Sequence, residues 1–107
     1  MKTTELKGSE KQKKWAFDII EQVELVIDVE IRNAQRSAEI QKRNIKPQVE
    51  LKYWKKAKED FFNYLDGLTE AKQVIDVRNT ILDPSKVQHR VDVQIRDELK
   101  EAGYFNR

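Results

Sequence analysis

From Glu10 to Ile45 the chain contains neither glycine nor proline. Within that run Ala16, Ile20, Val23, Ile27, Ile31, Ala34 and Ala38 recur at gaps of four and three. That spacing repeats on one face of an α-helix and is incompatible with the two-residue period of a strand. A second apolar row, Trp15, Ile19 and Val26, lies beside the first, and Leu25 with Val29 widens the arc. The spacing therefore predicts a first helix over about 10–45, buried on most sides between Trp15 and Ile31. Such a helix would be roughly 50 Å long, against a width of about 30 Å for a small domain. Either it breaks around Asn33, or its far end projects and finds a partner. Ala34 and Ala38 are small enough to let another helix approach closely, and a second copy of the chain is the simplest candidate. The expectation is a homodimer.

Local signals mark the other boundaries. Ser9 and Gln12 have the spacing of a capping box, in which the hydroxyl accepts from the third helical N–H and the amide side chain reaches back. Pro47 opens a second segment over about 47–66, because the residue before a proline is biased away from helix. Gly67 stops that segment. Thr69 would cap a third over about 69–82, and Asp83-Pro84 starts a fourth over about 84–102. Gly103 follows its end, with Tyr104-Phe105 as an apolar tail. The second helix places Trp54, Ala57, Phe61 and Leu65 on one face; the fourth places Val87, Val91, Ile95 and Leu99. The expectation is an all-α, three- to four-helix bundle with a long first helix. It forms one domain over 1–107, and residues 1–8 are a flexible N-terminus.

Composition narrows the function classes. With no cysteine, the chain has no disulfides, thiolate metal sites or cysteine nucleophiles. The first residues carry no apolar signal core, and no apolar stretch approaches membrane-spanning length. A cytoplasmic protein with no membrane association is expected. Lys and Arg total 21 against 19 acids, a formal +2 that is too small for a general nucleic-acid binder. The charges are nonetheless segregated. Asp18, Glu21, Glu24, Asp28 and Glu30 form an acidic block, whereas Lys42, Arg43, Lys46, Lys52, Lys55, Lys56 and Lys58 face a single acid, Glu50.

The block Leu6-Lys7-Gly8-Ser9-Glu10-Lys11-Gln12-Lys13-Lys14-Trp15-Ala16 resembles the opening of a family of small uncharacterised bacterial and phage proteins. Its members begin Leu-x-Gly-Ser/Thr-x-Lys-Gln-x-x-Trp-Ala and later carry an Ala-Lys-aromatic-aromatic-Ile-Asp-x-Arg block. Here the second block reads Ala71-Lys72-Gln73-Val74-Ile75-Asp76-Val77-Arg78, without the aromatic pair. The resemblance covers roughly residues 6 to 80 and implies an accessory protein of a mobile element. Physically, the first block starts a helix and turns Trp15 and Ala16 towards a core. In the second, Asp76 or Arg78 can pair with charges on the first helix.

Catalytic and metal chemistry find little here. Helical metal sites need further carboxylates and a Glu-x-x-His, but the only histidine, His89, has Lys86 three residues before it. His89 lies off the Val87-Val91-Ile95 stripe and is expected to face solvent without a nucleophile. No glycine-rich phosphate loop is present. The expectation is a non-enzymatic protein with no metal and no cofactor. Lys42, Arg43, Lys46, Lys52, Lys55 and Lys56 are the candidate partner- or nucleic-acid-binding residues, with Trp54 buried rather than available for stacking. Joined to the resemblance, these features lead to a mobile-element factor that binds a host protein or nucleoprotein. A CRISPR nuclease is its leading target class, making the protein an anti-CRISPR inhibitor. A small nucleic-acid-binding or transcriptional accessory protein and a self-assembling structural protein are the competing readings.

Overall fold

The computed structural model describes residues 6–105 and is all-α among them. Helices α1 (Glu10–Ile40), α2 (Ile45–Asp66), α3 (Ala71–Asp76) and α4 (Pro84–Glu101) follow in order. Ser9 starts α1 as its spacing requires: its Oγ accepts from the Gln12 N–H at 3.1 Å, and Gln12 Oε1 accepts from the Ser9 N–H at 3.1 Å. The helix then runs unbroken past Asn33 for 31 residues, about 46 Å at 1.5 Å per residue. It stops at Ile40, short of the expected Ile45. The Asn44 side chain accepts from the Lys46 N–H at 3.0 Å, so the turn at 41–44 ends one helix and caps the next. Asparagine competes with the helical ladder in this way because its short amide reaches neighbouring backbone groups. Pro47 consequently sits inside the first turn of α2, where its missing N–H would have had no helical partner.

α2 returns antiparallel to α1, and α4 lies antiparallel to α2. The long helix does not project alone, because α2 covers its far half. Ala16, Ile20, Val23, Ile27 and Ala34 form the buried stripe of α1. They meet Trp54, Phe61 and Leu65 of α2, Ala71 and Val74 of α3, and the Val87–Val91–Ile95–Leu99 stripe of α4 in one core. Trp54 is 2% exposed, and truncating it to alanine would cost about 3–5 kcal/mol. The wide apolar arc expected on α1 is only partly covered, with Ile19, Val26 and Ile31 half-buried against the core. Trp15 and Phe17 are each 47% exposed and Leu25 56%, because α2, α3 and α4 all lie on one side of the helix.

α3 is much shorter than the expected segment over 69–82. Its N-cap is Glu70 rather than Thr69, and Gln73 Oε1 accepts from both N–H groups at 2.9 Å. After Asp76 the chain tightens into turns, with the N–H groups of Val77 and Arg78 donating three residues back to the carbonyls of Val74 and Ile75. Val77, Asn79 and Thr80 are weak helix formers. The freed carbonyls of Asn79 and Ile81 are satisfied by Lys86 Nζ at 2.6 Å and Arg90 Nη2 at 3.0 Å from α4. Leu82 is thereby drawn into the core, 1% exposed.

Residues 6–8, expected to be flexible, are held in place, while residues 1–5 lie outside the described part. The Lys7 N–H donates to the Thr69 carbonyl at 2.9 Å, and the Ala71 N–H donates to the Lys7 carbonyl at 2.8 Å. Leu6 is buried beside this bridge. Gly8 has φ +150°, and a Cβ there would lie 3.3 Å from the Ala71 Cβ and 3.0 Å from Gln12 Oε1. Trp15 does not enter the core. Arg78 lies 4.9 Å above its ring and donates to the Ile75 carbonyl at 2.7 Å, so Arg78 reaches α1 through an aromatic face rather than a charge. Gly8→Ala should destabilise the protein by about 1–3 kcal/mol, read as a lowered urea midpoint; an unchanged midpoint would show that the bridge tolerates a side chain there.

Candidate interaction surface

The six basic residues singled out from the sequence are all exposed, but they do not form one patch. Lys42 and Arg43 occupy the turn between α1 and α2. That turn is shaped by hydrogen bonds from Asn44 Nδ2 to Gln41 Oε1 at 3.0 Å and from Gln48 Nε2 to the Lys42 carbonyl at 3.1 Å. Lys46 stands beside them in the first turn of α2, so this trio lies at one end of a molecule measuring 55 × 22 × 18 Å. Lys55 and Lys56 follow along α2, about 13 Å further on by helical rise.

Lys52 is committed elsewhere. Its Nζ lies 2.5 Å from Glu98 Oε1 on α4, and the Tyr53 hydroxyl donates to the same oxygen at 2.9 Å. These hydrogen bonds hold the Glu98 carboxyl below its ordinary range and, from the other side, push Lys52 and Tyr53 up. Lys58 is similarly used, 2.8 Å from Asp28 of the acidic block. Among the described residues no carboxylate pairs with Lys42, Arg43, Lys46, Lys55 or Lys56.

One of the two expected self-association residues is already packed within the chain. Ala34 is 6% exposed and lies beside Trp54 and Glu50, around a hollow of about 70 Å³. Ala38, one turn on, is half-buried on the same face. The small Ala34 side chain does admit a close helix, but that helix is α2. Ala34 is therefore not free to seat a second copy.

On the same side of α1, burial raises the Glu30 carboxyl above its ordinary value, and the charges of Asp92 and Glu50 add to the effect. Among the described residues no group of three or more potential ligands could hold a metal ion. His89 is exposed, as its position off the α4 stripe indicates, and stands on the lip of a groove of about 700 Å³. Phe61 and Val91 lie within that groove, and Ile81 and Val93 on its rim. Helical periodicity assigned this groove to no site; its one sequence signal is Val93, an apolar residue off the buried stripe of α4. No helix among the described residues is long and apolar enough to cross a membrane.

Compared with known proteins, the chain matches no family, no curated protein and no solved structure.

The two perturbed carboxyls should act on stability with opposite sign. A depressed carboxyl stabilises the fold above its unfolded range and loses that contribution as pH falls through the folded value; a raised one is relieved by the same fall. Glu98→Gln should therefore lower the urea midpoint at neutral pH, whereas Glu30→Gln should raise it. Both differences from the parent should shrink on acidification through the carboxylate range. Urea titrations of the two variants across pH test this, and a Glu98→Gln midpoint equal to the parent's would remove the Lys52–Glu98–Tyr53 contact as a contributor.

Proposed function

We propose that the protein is a non-enzymatic binding module that docks on an anionic face of a host nucleoprotein. It docks through Lys42, Arg43 and Lys46 at the α1–α2 turn, with Lys55 and Lys56 as a second, separate pair of contacts along α2. The observation that carries this reading is the contrast between cations already used and cations left over. Lys52 and Lys58 are tied to Glu98 and Asp28, while these five are exposed without a carboxylate partner among the described residues. Unpaired surface cations cost nothing to desolvate from an internal partner and are available to steer an acidic ligand.

The two sequence blocks that resemble small phage and bacterial proteins support a mobile-element setting for this docking. In that setting a CRISPR nuclease is the leading target class, and the protein acts as an anti-CRISPR inhibitor in the bacterial cytoplasm. The burial of Trp54 favours this reading over binding of bare single strands, since base stacking needs an exposed aromatic beside the cations.

A tagged pull-down against a CRISPR nuclease, with and without nucleic-acid digestion, tests the proposal. A stoichiometric protein complex that survives digestion is expected. Reversal of Lys42, Arg43, Lys46, Lys55 and Lys56 to Glu should abolish it while leaving the helical circular dichroism unchanged. Retention of binding by the reversed variant would remove this surface. Recovery of nucleic acid alone, with affinity falling steeply as salt rises, would replace the reading with a nucleic-acid binder.

A further inference from the structure

Opposite its buried stripe, α1 presents a second one: Asp18, Gln22, Leu25, Val29, Arg32 and Arg36, again at gaps of four and three. All six are exposed, with Leu25 at 56% and Val29 at 38%. α2, α3 and α4 cover the other side of the helix. Among the described residues Asp18, Glu21, Arg32 and Arg36 make no ion pair. A four–three spacing is the seam that one helix offers another in a coiled coil.

The stripe is also symmetric in charge about the level of Ile27. Turning the helix end for end about that level sets Asp18 against Arg36, Gln22 against Arg32, and Leu25 against Val29. Glu21 lies on the same flank as Arg32 and falls within one residue of its level. Apolar groups thus meet at the centre, and opposite charges meet on both sides of it. A parallel pairing would instead bring Asp18 to Asp18, Arg32 to Arg32 and Arg36 to Arg36.

We propose that two copies of the chain associate through this face, α1 against α1, antiparallel about a two-fold axis near Ile27. Each contact then occurs twice, as an isologous interface requires. Only Leu25 and Val29 supply the apolar centre from each copy, so the association is weak and concentration-dependent. The charged flanks set its direction. The interface does not use the Lys42–Lys56 surface, so it stands or falls separately from the docking reading.

Sedimentation velocity over a concentration series at low salt tests the proposal on the whole chain. The parent should show a reversible monomer–dimer equilibrium that weakens at about 1 M salt, where the Debye length falls to about 3 Å. Asp18→Arg alone, or Arg36→Asp alone, places like charges across both symmetric contacts and should weaken dimerisation about tenfold. The two substitutions combined restore opposite charges and should recover the parent constant. Helicity by circular dichroism should be the same in all three variants, since neither side chain has an ion-pair partner among the described residues. A monomer throughout the series would overturn the proposal. So would a dimer indifferent to the single reversals, or a double variant that fails to recover.

Discussion

Burial of a single stripe along a 31-residue helix organises everything else in this molecule. In a folded protein most helical stability comes from tertiary packing of an apolar face rather than from intrinsic propensity. Ala16, Ile20, Val23, Ile27 and Ala34 are that face. α2 folds back over it, from Trp54 beside Ala34 to Phe61 near Val23; α3 packs at its start, and α4 lies along α2 from the level of Val23 and Ile27 to the Lys52–Glu98 contact. Covering one stripe from one side leaves the opposite side of α1 bare. This is why Leu25 and Val29 remain exposed despite their size, and why the molecule is elongated.

The proximal end is held by a second, more local device. Two sequence blocks separated by more than fifty residues meet there: the Lys7 backbone is hydrogen-bonded to Thr69 and Ala71, and Arg78 lies over Trp15. The residue types follow from that contact. Glycine at position 8 tolerates φ +150° and lets the backbone approach Ala71, which in turn must be small. Ser9 and Gln12 turn the chain directly into α1. A folded task is therefore sufficient to account for the glycine, serine, glutamine and alanine of these blocks.

The charged surface is edited by the same packing. In the sequence, Lys52 and Lys58 belong to one basic block with Lys55 and Lys56. Folding places Glu98, 46 positions away, and Asp28, 30 positions away, within hydrogen-bonding reach of the first two. What remains for a partner is a trio at one tip and a pair along α2. On α1, by contrast, acids near the start of the outer stripe and arginines near its end find no ion-pair partner among the described residues. That polarity lends the face its capacity to match a reversed copy of itself.

Signals that act within a few residues were legible in the sequence. The capping box at Ser9–Gln12, the Asp83-Pro84 start, the Gly103 stop, the buried stripes of α1, α2 and α4, and the burial of Trp54 all depend on helical period or on caps. The all-α class followed from them. Tertiary structure decided the break at 41–44, because Asn44 ends α1 only when α2 has a face to fold onto. It decided the shortening of α3, whose last residues yield their backbone carbonyls to Lys86 and Arg90 of α4. It moved Trp15 out of the core onto Arg78 and gave Ala34 to α2. It also chose which lysines are spent, since an ion pair depends on which helix lies alongside, and no periodicity within one segment carries that information.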